Sequence, residues 1–124
     1  MENHAFLKVA VAQFQPKDGD KTYNLSVIEK LTQKAKAAGA DVISFHEMSV
    51  TAYTHTQTMN RAEITELAEE VPHGSSTRKL TEISQKHDIP VLAGLIEKEG
   101  NELYNTYIGV HEGEVIARYR KLHP

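Results

Sequence analysis

An α/β fold built on one mixed β-sheet is what this sequence predicts, and three observations carry the prediction. Two short apolar runs, Leu7 to Phe14 and Val42 to Phe45, bracket a stretch of helical periodicity. Two further helix signals follow in the middle of the chain. The last third, from Val91 onward, holds three β-rich runs parted by glycine-containing breaks.

Leu7 to Phe14 (LKVAVAQF) ends at Gln15-Pro16 and Asp18-Gly19-Asp20, which is turn chemistry, and reads as a buried first strand. From Lys21 to Ala38, apolar residues fall at Leu25, Ile28, Leu31, Ala35 and Ala38, the three-and-four spacing of one helical face, and Gly39 suits the position just past the helix. Val42 to Phe45 (VISF) is too short for a helix and is β-branched and aromatic, so it reads as a second buried strand. Strand, helix and strand on tight connections predict a right-handed parallel crossover. The polar, threonine-rich stretch from Met48 to Met59 reads as a loop. Asn60-x-x-Glu63 then has the form of a capping box, opening a short helix with Ile64, Leu67, Ala68 and Val71 inward. Pro72-His73-Gly74 breaks it, and Ser75 or Ser76 caps another helix running to about His87 with Leu80 and Ile83 inward. Val91 to Ile96, Leu103 to Val110 and Val115 to Leu122 read as three strands joined by hairpin turns at Glu99-Gly100-Asn101 and Glu112-Gly113. The order β-α-β-α-α-β-β-β gives a mixed sheet with helices covering one face.

With 124 residues, 40% of them hydrophobic, one compact unit spanning residues 1–124 is expected. The net charge of −3 and a pI near 6.1 argue against nucleic acid or an anionic membrane as the partner and favour a small neutral or polar substrate. Met1 to Phe6 lacks the basic and apolar regions of a signal peptide, and no apolar run reaches the roughly 20 residues that span a bilayer, so a soluble, cytoplasmic protein is expected. The chain has no cysteine, which excludes disulfides, thiolate metal sites and a cysteine nucleophile within these residues.

Two residues stand out as carriers of chemistry. Glu47 follows the buried run Val42 to Phe45, at the C-terminal end of a parallel strand, where open α/β sheets bind ligands; an incompletely solvated carboxylate there suits a general base. The same position suits a solvated loop residue or a helix cap. Lys121 lies near the end of the last strand. Strict alternation sets it with Val115, Ala117 and Tyr119, and sets Arg118 and Arg120 with Ile116 on the other side. A lysine on the more apolar row could aim a fixed cation at a developing oxyanion. Arg118 to Lys121 also reads as a basic strand end that blunts an exposed edge. His46-Glu47 is followed by Met48-Ser49-Val50, which departs from the zincin pattern, and the remaining histidines lack ligand spacing. The sequence has no glycine-rich nucleotide loop and no serine elbow, so neither a cofactor nor a metal is expected.

Taken together, LKVAVAQFQP, KAAGADVISFHE, PVLAGLIEKEGNELYNTYIGV and GEVIARYRKLHP resemble the nitrilase superfamily of carbon-nitrogen hydrolases, over essentially the whole chain. The resemblance implies the N-terminal half of an α-β-β-α sandwich and catalysis by a Glu-Lys-Cys triad. It implies that Glu47 is the base and Lys121 the oxyanion partner, with Tyr53 a loop tyrosine near the substrate pocket. The family's cysteine lies downstream of the lysine, beyond this sequence. His46 stands where the family usually has proline, and Ala52 where glycine is common, which leaves the choice among amide, carbamoyl and nitrile substrates open. The competing expectation is an inactive relative kept for binding or assembly. In either case an uncovered apolar sheet face predicts a homo-oligomer. A nucleotide-binding domain is a third reading, suggested by the first β-α-β alone.

Overall fold

The computed structural model of the chain describes residues 6–52 and 60–122. Within them are β1 (Val9–Ala12), α1 (Lys21–Ala37), β2 (Val42–Phe45), α2 (Arg61–Leu67), α3 (Ser75–His87), β3 (Val91–Glu99), β4 (Glu102–His111) and β5 (Glu114–Leu122). The five strands form one sheet in the order β1-β2-β3-β4-β5. β1, β2 and β3 run parallel, while β3, β4 and β5 form an antiparallel meander. The predicted element order and the mixed sheet are both present.

Local chemistry sets the boundaries. Asp20 accepts the Tyr23 amide proton at 3.0 Å and starts α1, and Gly39, at φ 87°, takes the left-handed turn beyond its end. The capping box at α2 closes in both directions: Asn60 accepts from the Glu63 amide at 2.8 Å, and Glu63 accepts from the Asn60 amide at 3.0 Å. Both central residues of the β4–β5 turn have positive φ, Glu112 at 51° and Gly113 at 81°, as a two-residue hairpin turn with right-handed strands requires.

One face of the sheet is covered by α1 and α3. Ile28 from α1 and Leu80 and Ile83 from α3 close over Ile43, Phe45, Val91, Ala93, Ile108 and Val110, all buried. A smaller cluster sits at the far end of the sheet, where Ile64 and Ala68 of the α2 region meet Met48, Ile96 and Leu103. Among the described residues no helix is long and apolar enough to cross a membrane.

Two expectations are corrected. The first strand is shorter than expected and lies at an edge: Ala10 and Ala12 pack on the core, but Val9 is 49% and Val11 74% exposed. Its apolar run is continuous because β1 is apolar on both sides, yet α1 and α3 cover only one of them. The N-cap of α3 is Gly74, with no side-chain cap, in place of Ser75 or Ser76. A carboxylate from outside the helix does that work. Glu69 accepts from the Ser76 amide at 2.8 Å and from its hydroxyl, and pairs with Lys21 at 2.8 Å. A β-carbon at position 74 would lie 2.7 Å from the Glu69 carboxylate, which explains the glycine there.

Burial pushes the Glu69 carboxyl up, but bonds from Lys21 and Ser76 outweigh it and hold it below its ordinary value of 4.5. A carboxylate with a lowered folded pKa stabilises the fold above the unfolded value, and that stabilisation is lost as pH falls through the lowered one. The urea midpoint should therefore fall as pH is lowered from about 4.5 through that lower value, and Glu69→Gln should remove this component. A Glu69→Gln profile as steep as the parent's would show that other carboxylates govern acid unfolding.

Candidate active site

The two residues singled out in the sequence, 74 positions apart, meet in the fold. Lys121 Nζ lies 3.4 Å from Glu47 Oε1, with both side chains about half exposed. Tyr53 lies outside the described residues.

Glu47 is placed by an unusual continuation of β2. The strand pairs with β3 only through Ile43↔Val91 and Ser44↔Leu92, which leaves later β3 backbone groups without a strand partner. Residues 48–52 fill the gap as a buried turn. Ser49 Oγ accepts the Gly94 amide at 3.1 Å, Thr51 Oγ1 accepts the Ile96 amide at 3.2 Å, and the Val50 amide donates to the Gly94 carbonyl at 2.9 Å. Further along, the Glu69 amide donates to the Ile96 carbonyl at 3.0 Å. Two hydroxyls and a turn thus replace a strand, keeping buried backbone groups paired. Asn24 of α1, fully buried, locks the turn from the helix side by donating to the Val50 carbonyl at 2.8 Å and the Lys17 carbonyl at 2.9 Å. Met48 and Ala52 both hold φ at 57°, a left-handed conformation uncommon for residues with a side chain, and surrounding bonds hold them there.

Gly94 permits the close approach. A β-carbon there would stand 2.4 Å from the Met48 amide nitrogen and 3.1 Å from the Glu47 α-carbon. His46 is tied down beside it: its ring nitrogens lie 2.9 Å from the Glu47 carbonyl and 3.1 Å from the Phe14 carbonyl, and it packs on the Phe14 ring at 5.3 Å.

Lys121 is aimed by β5, with one correction to strict alternation. A register shift at Gly109/Val110 sets Val115 opposite Val110 and Ala117 opposite Gly109, so Ile116 is an extra residue. Val115 therefore packs on the core with Arg118 and Arg120 on its side of the strand, and does not share a row with Lys121. Ala117, Tyr119 and Lys121 face the open side of the sheet. Tyr107, opposite Tyr119, shares that side and reaches Ser44 at 2.7 Å and the Phe45 carbonyl. Burial pushes the Tyr107 hydroxyl up, the Ser44 bond opposes this, and the Glu47 carboxylate pushes it up further, so it stays protonated near neutral pH.

A carboxylate and an ammonium side by side, at the end of a parallel strand, can relay a proton and stabilise a nearby anion. Residues 8–124 match the family of carbon-nitrogen hydrolases. The chain belongs to that family. A carbon-nitrogen hydrolase named nitrilase, from Pyrococcus abyssi, is 32% identical over 117 residues, covering 94% of this chain and 44% of its own length. The 2-oxoglutaramate amidase of Bacillus subtilis is 30% identical, covering 93% of this chain and 42% of its own. A crystal structure of an N-terminal amidase with a Gln-Val peptide superposes with a TM-score of 0.78 at 26% identity, covering 93% of this chain and 28% of that one. The chain thus spans less than half the length of the carbon-nitrogen hydrolases it matches.

Asn24, Ser49, Thr51 and Tyr107 escaped the sequence reading. Gly94 carried a usable signal, since a glycine inside a strand often marks close backbone approach.

Proposed function

We propose that Glu47 and Lys121 are the general base and the fixed cation of a carbon-nitrogen hydrolase site whose nucleophile is a cysteine thiol supplied from outside these residues. The observation that carries this reading is the 3.4 Å pairing of the two side chains on the open side of the sheet. Glu47 takes the thiol proton, and the sulfur attacks the carbon of a small amide. The charge that develops on oxygen faces the Lys121 ammonium. Collapse breaks the C–N bond, the leaving amine takes the proton from Glu47, and a thioester remains. Glu47 then takes a proton from water, which attacks the thioester and releases the acid and the thiol. Carbamoyl compounds and nitriles share the attack step; a simple amide is the substrate class proposed first.

The test is ammonia release from small amides by the product of the complete reading frame, with Glu47→Gln measured beside it. Turnover that is blocked by thiol alkylation and depends on Glu47 supports the assignment. Turnover indifferent to Glu47, or a complete product without a thiol, overturns it.

A second reading concerns assembly and rests on the open face. Val9 and Val11 at one edge, and Ile116 at 60% and Tyr119 at 64% exposure at the other, are left uncovered. Burying such surface is favourable, so the 124-residue chain by itself is expected to self-associate through this face. Light scattering at micromolar concentration should give at least a dimer mass, and a monodisperse monomer would refute it.

A further inference from the structure

On the helix-covered side of the sheet, directly behind the candidate site, lies a charge cluster with no part in the chemistry above. Glu97 of β3 is 1% exposed, and its two oxygens accept four bonds. Arg120 grips it with a two-pronged fork, Nε to Oε1 at 2.9 Å and Nη2 to Oε2 at 2.8 Å. Arg118 Nη1 donates to Oε2 at 3.2 Å and Thr106 Oγ1 to Oε1 at 2.7 Å. Arg120 is held twice more, by Glu99 at 3.2 Å and over the Tyr104 ring at 4.4 Å.

β5 is an edge strand with a ladder neighbour on one side only, and Lys121 is its second-last residue. An edge strand's end frays, and a slip of one residue would turn Lys121 to the wrong side of the sheet. Neighbouring side chains on a strand point to opposite faces, so fixing Arg120 fixes the direction of Lys121. The fork is planar and two-pronged, which sets orientation as well as distance, something a single ammonium cannot do.

We propose that Glu97 and Arg120 are positioning residues that hold the end of β5 so that Lys121 stays against Glu47. This rests on the reading of Glu47 and Lys121 as the site. The brace acts through the strand: Glu97 and Arg120 touch no reacting atom, and their effect is read at the pair they position.

The test uses this chain and a zero-length carbodiimide. The reagent activates the Glu47 carboxyl, the Lys121 amine attacks it, an amide bond forms and a substituted urea leaves. Mass spectrometry of the digest quantifies the Glu47–Lys121 crosslink. The Lys86–Glu29 pair, 3.2 Å apart and joining α3 to α1, is the internal reference for folded protein. Arg120→Lys keeps the charge and removes the fork; it should lower the ratio of the two crosslinks about tenfold. The double variant Glu97→Met with Arg120→Met, an apolar replacement of the kind buried ion pairs often tolerate, should lower it as much while keeping the reference crosslink. A parental ratio in either variant overturns the brace and leaves the site assignment intact. Absence of the Glu47–Lys121 crosslink in the parent overturns both.

Discussion

Glu47→Gln in the cysteine-bearing enzyme is expected to lower kcat/KM for amide hydrolysis by about a thousandfold or more, because base and nucleophile act as a unit. Glutamine keeps the shape of the side chain and removes its negative charge and its ability to take a proton. The thiol proton then has no acceptor, and the water of the second half-reaction has none either, so both steps suffer. Stability should hardly respond. The Glu47–Lys121 pair is half exposed on both sides, and an exposed pair of this kind is worth at most about 1 kcal/mol. The thermal midpoint should therefore move by only a few degrees. Steady-state assay beside a thermal melt separates the two. A loss of activity explained by unfolding, or activity within about tenfold of the parent, would remove Glu47 from the role of base.

Gly94→Ala is expected to have the largest effect on stability, about 3 kcal/mol or more, because the added carbon meets backbone that has nowhere to go. The nearest atom is the Met48 amide nitrogen at 2.4 Å, with the carbonyl and α-carbon of Glu47 at 3.1 Å. Those atoms belong to a turn fixed from two sides, by Ser49, Val50 and Thr51 on β3 and by Asn24 on α1. A flexible side chain could swing aside; this turn cannot move without breaking several buried hydrogen bonds. Urea unfolding measures the loss, and the carbodiimide crosslink between Glu47 and Lys121 should fall even in the fraction that remains folded. A parental urea midpoint would show that the turn yields easily and that Gly94 does not set the approach.

Much of the fold was legible because its signals are local. The capping box at Asn60 and Glu63, the helical face from Leu25 to Ala35 and the Glu112-Gly113 turn each depend on residues within a few positions of one another. Edge and centre are different in kind. Leu7 to Phe14 and Val42 to Phe45 look alike as apolar runs, and only sheet order makes β1 an edge strand with Val11 mostly exposed. The external cap on α3 was hidden for the same reason: Glu69 precedes the helix by several residues and reaches it only through the folded turn.

The site divides along the same line. Glu47 and Lys121 could be picked out by position and family resemblance, whereas the hydroxyls of Ser49 and Thr51 could not. A threonine-rich stretch reads as a solvated loop until β3 is seen to extend beyond its parallel partner and to need acceptors there. Alternation along β5 failed at one residue, Ile116, because a bulge leaves no mark in apolar and polar pattern when both of its residues are apolar.

That extra residue also acts as a change of parity. Val115 and Lys121 are six positions apart, an even number, so a regular strand would point both the same way and could serve the core or the site, but not both. With Ile116 inserted, one strand anchors Val115 in the interior and presents Lys121 to the opposite face. Insertions or deletions in the Glu112-Gly113 turn leave this phase untouched. Adding one residue between Val115 and Lys121 would bring Arg120 to the place of the lysine, and removing one would bring Leu122 there.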